Sequence, residues 1–203
     1  MATQREFLDT ELEPRLTEAR AGQRQVLFMD AAHFVLGTFL CCLWCRLRQF
    51  VRAASGRQRY NVLAAWNAVT HEVLLVRNTT YITAESVCDL LRQVAAKNFT
   101  IPVTLVLDNA RYQRCALVQN LAASLHIELL FLPSYSPNLN LIERLWKFLK
   151  KECLYARHHD NFANFQTTIN NCLDQLATTH RDKLQTLMTH NFQTFEKVSF
   201  LAA

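Results

Sequence analysis

The sequence predicts a mixed α/β sheet that is flanked by helices and followed by further helices at the C-terminus. Short apolar runs bounded by turn residues are typical of buried strands. In the second half of the chain these runs alternate with segments of helical periodicity, an order that favours parallel pairing of the strands. In the first half the runs follow one another directly, which indicates hairpins.

The first half contains a polar helix and then a series of strands. Residues 4–22 predict a helix that Pro14 interrupts, with only a loose apolar stripe along it. The stripe consists of Phe7, Leu12, Leu16 and Ala19. Residues 26–30 predict a buried strand that ends in the carboxylate of Asp30. Three further strands of a meander are predicted near residues 34–45, 60–69 and 72–76.

The second half alternates between helices and strands. Residues 83–98 carry apolar side chains at helical spacing and predict a crossover helix. Residues 103–107 predict a second buried strand that also ends in a carboxylate, that of Asp108. A helix over residues 110–125 and a short strand over residues 127–132 follow.

A stiff turn over residues 132–137 leads into the last part of the chain, because two prolines fix the backbone there. Asn138 or Asn140 is predicted to cap the next helix. The buried face of that helix is predicted to consist of Ile142, Leu145, Trp146 and Leu149. From residue 161 onward the pattern predicts two more amphipathic helices.

The composition fits one globular domain with a sizeable core. Of the 203 residues 50% are hydrophobic and 19% are charged, and with 3 Gly and 4 Pro no disordered linker is predicted. The longest apolar run, residues 34–45, has 12 residues, fewer than the roughly 20 that a membrane-spanning helix needs. Because the N-terminus shows no secretion signal, we expect a cytoplasmic location.

Positive charge is concentrated in one stretch of the chain. Between Asp30 and Glu72 there is no acidic residue. The same stretch contains Arg46, Arg48, Arg52, Arg57 and Arg59. A polyanionic partner would suit this stretch, although a solvated basic surface is the alternative interpretation.

The cysteines favour a reducing environment. There are seven, an odd number, and most stand within apolar sequence, as is typical of reduced core thiols. Cys42 and Cys45 form one C-x-x-C pair. No second ligand pair lies at a suitable spacing, so a zinc site is not predicted.

Three carboxylates stand at the boundaries of predicted elements. Asp30 and Asp108 each close a buried strand, and Glu143 lies in the first turns of the helix behind the proline turn. Open α/β sheets tend to build their sites at such strand ends. Three neighbouring carboxylates repel one another unless a cation binds, and oxygen ligands favour magnesium or manganese. For each carboxylate taken singly, a helix cap or a surface salt bridge is the alternative.

The sequence around each carboxylate forms a distinctive block. The blocks are residues 28–34 (FMDAAHF), 105–110 (LVLDNA) and 132–147 (LPSYSPNLNLIERLWK). They resemble the signature blocks of DDE transposases, in the bacterial insertion-sequence group related to mariner elements. The 34 residues between Asp108 and Glu143 match the spacing of that group, and the resemblance covers residues 24–152.

The resemblance implies a ribonuclease H-like fold and metal-dependent chemistry on DNA. Water would cleave a DNA strand, and the freed 3′ hydroxyl would then attack target DNA. Two magnesium ions, with manganese as a substitute, would be held by Asp30 as the bridging ligand, Asp108 on one ion and Glu143 on the other. The implied partner is double-stranded DNA, both the element ends and the target, bound by a homodimer.

The resemblance also implies a division of the chain. A helical lead-in over residues 1–24 would precede a catalytic domain over residues 25–152, and residues 153–203 would form a helical extension of the same domain. Because full-length relatives carry a helix-turn-helix region and only about 25 residues precede the first strand here, we expect a separately encoded DNA-recognition polypeptide. The chain would then be a second reading frame product or a truncation.

Two details of the blocks depart from the group. The residue after Asp30, often Glu in such proteins, is Ala31. A His often found shortly after the second block is absent, and Tyr112 and Gln113 occupy that region. Neither departure removes an expected metal ligand.

Basic side chains near the blocks are candidates for DNA contacts. Arg57 and Arg59 follow Gly56, and a plain surface turn is their alternative interpretation. A second set extends from Glu143 along its helix: Lys147, Lys150 and Lys151. A solvated helix face explains this second set equally well.

Two aromatic residues near the carboxylates are interpreted as structural. His33 is expected to be packed beside the sheet rather than bound to phosphate or metal. Trp146 shares the apolar stripe of its helix and is expected in the core rather than stacked on DNA.

Two other functions remain open at the level of the sequence. The chain can be a domesticated or truncated relative that binds DNA without transposition activity. It can also be a ribonuclease H-like nuclease that acts in repair or on RNA without strand transfer.

Overall fold

The computed structural model describes residues 4–37, 46, 58–155 and 157–194. Five strands of the described residues form one sheet in the order β3-β2-β1-β4-β5. They are β1 Gln25–Val35, β2 Arg59–Asn67, β3 Val73–Asn78, β4 Val103–Leu107 and β5 Ile127–Phe131. β1, β2 and β3 pair antiparallel, whereas β4 pairs parallel with both β1 and β5. The predicted mixed sheet is therefore confirmed.

β1 is longer than predicted, and this places Asp30 inside a strand rather than at its end. The parallel pairing of β1 with β4 stops at Phe28, opposite Val106. The antiparallel pairing with β2 continues to Val35, opposite Arg59. β1 continues because the hairpin partner still satisfies its backbone groups after β4 has ended. Phe34 and Val35 thus finish β1 instead of starting a new strand, and residues 38–45 lie outside the described residues.

The helices after the hairpins follow the predicted order. They are α3 Ala84–Ala95, α4 Ala116–Ser124, α5 Ile142–Leu149, α6 Phe162–Asp174 and α7 Arg181–Leu187. α3 begins with a reciprocal cap, because Ser86 accepts a hydrogen bond from the backbone of Thr83 while Thr83 accepts one in return. α4 begins later than predicted, since the backbone N–H groups of Gln113 and Arg114 bond to Ala110 and close turns there.

The N-terminal helix continues through the predicted interruption. α1 Gln4–Phe7 leads into a π-helical turn, Leu8–Leu12, and then into α2 Glu13–Arg20. Pro14 stands in the first turn of α2, where the missing N–H of proline costs little. The predicted stripe is buried against the sheet, with Leu12 and Leu16 both 0% exposed.

The sheet is covered on both faces. The N-terminal helices, α5, α6 and α7 pack on one face around Phe28, Phe34 and Trp66. α3 and α4 pack on the other face around Met29 and Leu105. Both β1 and β2 are buried because they lie between two helical layers. None of the helices in the described residues has the length and apolar character needed to cross a membrane.

Four of the cysteines lie in the described residues, and all are free thiols: Cys88, Cys115, Cys153 and Cys172. Cys115 is half-buried and the other three are buried, as expected for reduced core thiols. Cys41, Cys42 and Cys45 lie outside the described residues.

Arg144 anchors the segment that follows α7. Its guanidinium donates to the backbone carbonyls of Thr189 and Asn191, each at 2.6 Å, and to that of Leu187 at 3.1 Å. It also lies over the ring of Phe192, 5.8 Å from the centroid. One side chain of α5 therefore fixes the C-terminal segment against the sheet.

Arg144→Met is expected to lower the free energy of unfolding by about 2 kcal/mol, because charge-assisted hydrogen bonds to several carbonyls are lost. Urea unfolding followed by circular dichroism measures the change. Arg92→Met is the matched control, since Arg92 makes an exposed ion pair with Asp89 and should cost under about 0.5 kcal/mol. Equal effects of the two substitutions would contradict the anchoring role.

Candidate active site

Two of the predicted carboxylates lie where β1 and β4 separate. Asp30 comes two residues after the last parallel pair, Phe28 with Val106, and Asp108 directly follows the last residue of β4. Glu143 stands in the first turn of α5, which packs on β1. The sheet and α5 thus bring the three carboxylates to one edge of the molecule.

The charges of Glu143 and Asp108 both act on Asp30. Burial raises its pKa, and repulsion by Glu143 and then by Asp108 raises it further, to about 7. The backbone N–H of Ala31 and the indole of Trp146 act in the opposite direction by donating hydrogen bonds. The surroundings of Asp30 therefore favour its protonated form when no cation is bound.

The pKa values of Asp108 and Glu143 are raised as well. Burial raises the pKa of Asp108, and a hydrogen bond from Asn140 opposes the rise. Burial also raises the pKa of Glu143, followed by repulsion from Asp108, while the charges of Lys147 and Lys150 lower it. The charge of Asp108 therefore raises the pKa of both Asp30 and Glu143.

Asn140 supports the site instead of capping α5. Its amide donates to the backbone carbonyl of Met29 at 3.3 Å and, more weakly, to Asp108 Oδ1 at 3.5 Å. The prediction of an Asn cap is wrong: α5 begins after Leu141 without a side-chain cap, and Asn138 donates to Gln4 Oε1 at 2.9 Å. Leu141 already has helical backbone angles, and both amides bond to partners in distant segments of the chain.

Trp146 lies in the core as predicted, 3% exposed, but its polar edge faces the site. The indole Nε1–H donates to Asp30 Oδ2 at 2.9 Å. A buried Trp needs an acceptor for its N–H. This requirement is the feature of the sequence from which a hydrogen bond between Trp146 and a buried acceptor could have been predicted. Trp146 thus fixes the orientation of the Asp30 carboxylate.

Tyr112 also lies beside the carboxylates. Burial raises the pKa of its phenol, and the charges of Asp30 and Asp108 raise it further. Its neighbour Gln113 is 1% exposed and donates weakly to the Tyr112 hydroxyl at 3.5 Å. The sequence singled out these two residues only as a departure from a family pattern, because nothing local predicts that the turn before α4 folds over the site.

The ligand set fits a hard divalent cation that substrate helps to hold. All candidate ligands are oxygens, and Asn140 adds a buried Oδ1 that has no hydrogen-bond partner in the described part of the chain. Among the described residues, no group of three or more His, Cys, Asp or Glu side chains is arranged to hold an ion by itself. Magnesium usually takes one or two carboxylates and completes its shell with water and substrate phosphate. The oxygen set therefore fits magnesium or manganese.

Four of the five basic residues that are candidates for DNA contacts lie in the described part of the chain. Lys147 and Lys150 act on the charge of Glu143 and so lie near it, while Lys151 is exposed farther along. Arg59 is exposed at the start of β2, opposite the end of β1. Arg57 lies outside the described residues.

His33 is not packed as predicted. It is exposed on β1, and its Nδ1 lies 2.7 Å from Asn61 Oδ1. Side chains alternate between the two faces of a strand, so His33 and Val35 fall on the open face of the hairpin while Phe34 enters the core. The His33 ring therefore contacts Asn61 and remains accessible to solvent.

Comparison with solved structures establishes the fold. The Mos1 transposase paired-end complex with left transposon end gives a TM-score of 0.63 at 14% identity, covering 92% of this chain and 61% of that chain. The Mos1 mariner paired end complex with Mn gives 0.59 at 15% identity, covering 91% and 61%. The Mos1 transposase catalytic domain with raltegravir and Mg gives 0.54 at 13% identity, covering 91% and 92%. At these identities the likeness shows a shared ribonuclease H-like fold.

The comparisons also set the extent of the match. The chain spans 61% of the length of the Mos1 chain in the paired-end complex. No curated protein sequence matches it. The family described as DDE superfamily endonuclease matches residues 46–166, a segment that includes Asp108 and Glu143 and leaves out Asp30. Because that match covers more than half of the chain, this protein belongs to the DDE endonuclease superfamily.

Proposed function

We propose that this chain is the catalytic domain of a transposase that cleaves DNA strands and joins the freed 3′ ends to target DNA. Asp30, Asp108 and Glu143 are proposed as the ligands of two magnesium ions, with manganese as a substitute. The observation that carries the proposal is the convergence of the three carboxylates where β1 and β4 separate and α5 begins, with Asp30 under repulsion from Glu143 and Asp108. A divalent cation relieves that repulsion, whereas a structural role would favour separation of the charges.

The protein supplies the positions of the ligands. Trp146 orients Asp30, Asn140 holds Asp108 beside Met29, and α5 presents Glu143. Asp30 is the candidate for the shared ligand because the charges of both other carboxylates act on it. When bound, two such ions activate the attacking oxygen and stabilise the leaving oxygen of an in-line displacement at phosphorus.

Double-stranded DNA is the proposed substrate, as element end and as target, and a homodimer is the proposed unit on DNA. Phosphate contacts are assigned to Arg57, Arg59, Lys147, Lys150 and Lys151. Such contacts give affinity without sequence information, so recognition of terminal repeats is assigned to a separate helix-turn-helix polypeptide. In the proposed division, residues 1–24 and 153–203 flank the catalytic domain at residues 25–152.

Replacing Lys147, Lys150 and Lys151 together by alanine is expected to weaken DNA binding and to reduce its dependence on salt. Three lost phosphate contacts should lower the slope of log K against log salt concentration by about 2.7. Titrations by fluorescence anisotropy at several salt concentrations measure the slope. Lys97→Ala is the control, because Lys97 pairs with Glu72 beyond the end of α3. An unchanged slope in the triple variant would assign these lysines to a solvated surface.

A cleavage and joining assay tests the proposed function. The chain is incubated with magnesium, labelled DNA carrying the inverted repeats that flank its coding region, and a supercoiled target. Cutting followed by joining is the expected result. Cutting without joining would favour a ribonuclease H-like nuclease, and binding without cutting would favour a DNA-binding relative.

A further inference from the structure

The loop between β5 and α5 carries an unusually exposed aromatic side chain. Tyr135 is 96% exposed. Its φ of 59° lies in the left-handed region, which bulky side chains rarely adopt. In the part of the chain that the structure describes, the other non-glycine residues with positive φ are His71, Asn98 and His126. Asn and His tolerate this conformation better than Tyr, so Tyr135 is the outlier among them.

The backbone of this loop is held in place from several sides. Gln4 donates to the Tyr135 carbonyl at 3.2 Å and accepts from Asn138 at 2.9 Å, which ties the loop to α1. Ser136 is 4% exposed and Leu139 is 0% exposed, so the chain turns inward directly after the tyrosine. The backbone is therefore fixed while the ring extends into solvent.

The same loop is tied to the carboxylates at both ends. Asn109, which follows Asp108, donates to the carbonyl of Leu132 at the start of the loop. Asn140, at its end, donates to Asp108. Both ends of the loop that carries Tyr135 therefore lie beside the candidate active site. A strained and exposed residue in such a position is characteristic of a functional contact.

We propose that the ring of Tyr135 is a stacking platform for an unpaired DNA base next to the phosphate that is cleaved. The proposal rests on the proposed function, since it requires DNA in the site. Aromatic rings bind unpaired bases by stacking regardless of base identity, and Lys147 and Lys150 beside Glu143 carry the charge that a DNA backbone requires. A second copy of the chain or another protein would also cover an exposed tyrosine, and the experiment below separates these occupants.

Photo-crosslinking tests the proposal directly. The chain is bound, with calcium in place of magnesium, to a DNA duplex that carries a single-stranded 3′ tail. 5-Iodouracil is placed at successive positions in the tail and in the duplex, because light crosslinks this base to an aromatic ring stacked on it. We expect crosslinks from tail positions near the junction, mapped by mass spectrometry to the peptide that contains Tyr135.

Three substitutions make the test specific. Tyr135→Phe should keep the crosslink, because the ring is retained. Tyr135→Asn should lose it and bind tailed DNA about tenfold more weakly, while its affinity for blunt duplex stays unchanged. Asn accepts the left-handed backbone, so the melting temperature of this variant should not fall. Tyr81→Asn, at a 71% exposed tyrosine before α3, should leave both affinities unchanged.

The possible failures point to different conclusions. Equal affinities of wild type and Tyr135→Asn for tailed DNA, with crosslinks mapping elsewhere, would overturn the stacking role and leave the proposed function intact. A sedimentation change in Tyr135→Asn without any crosslink would overturn it in favour of a contact between copies. Absence of binding to any DNA would overturn both proposals.

Discussion

Glu143→Gln, Asp30→Asn and Asp108→Asn are each expected to slow DNA cleavage by at least about a thousandfold. Stabilisation by bound metal accounts for several kcal/mol of the barrier in such reactions, and each substitution removes one of the proposed ligands. The fold should survive, because none of the three side chains fills the apolar core. Single-turnover cleavage of labelled DNA with saturating magnesium measures the loss.

Glu152→Gln provides the matched control for these variants. Glu152 lies on the π-helical turn after α5 and pairs with Lys183, away from the candidate ligands. Its replacement should change the cleavage rate by less than about twofold, in line with a surface pair. Wild-type cleavage by any one of the three carboxylate variants would remove that residue from the proposed ligand set.

Asp30 is expected to stabilise the metal-free folded protein at low pH and to lose that contribution as the pH rises from about 4 to about 7. In the folded state the pKa of Asp30 is raised from 3.8 to about 7, mainly by burial. Between these two pH values the folded protein keeps a proton that the unfolded chain releases. The contribution of Asp30 to the free energy of unfolding is therefore present below pH 4 and is lost by pH 7. The shift in the pKa of Asp30 corresponds to about 4 kcal/mol in the free energy of unfolding.

Asp30→Asn should remove this part of the pH dependence, since Asn carries no charge and its oxygen can still accept from Trp146. Unfolding in urea with EDTA, measured at pH 4 and at pH 8, gives the comparison. Asp182→Asn, on the exposed surface of α7, is the control and should preserve the wild-type difference. If Asp30→Asn showed the same pH dependence as wild type, the carboxylate would not be destabilised by its surroundings.

The strands and the three carboxylates could be predicted from the sequence for a physical reason. Buried strands such as β4 need continuous apolar runs, and a carboxylate that ends such a run is conspicuous. The block around Glu143 is long, and its spacing from Asp108 is distinctive. Asp30 and Asp108 converge because the parallel pairing of β1 with β4 ends just before each of them, and α5 packs on β1 and adds Glu143.

Contacts between distant segments were not predictable from local patterns. The hydrogen bond from Trp146 to Asp30 joins residues 116 positions apart, and that from Asn140 to Met29 joins residues 111 apart. β1 extends beyond the end of β4 because it pairs with β2. The pairing partners of a strand cannot be predicted from the strand's own sequence. The exposure of Tyr135 likewise depends on how Gln4 and Asn138 hold the loop.

Location of bound manganese tests the central claim most directly. A crystal structure of the chain with manganese and tailed DNA, with anomalous scattering recorded at the manganese edge, locates the ions without reference to activity. We predict two anomalous peaks about 4 Å apart, with Asp30 shared between them, Asp108 on one and Glu143 on the other. DNA bound in the site with no manganese peak at these carboxylates, or with manganese held by other residues, would contradict the account.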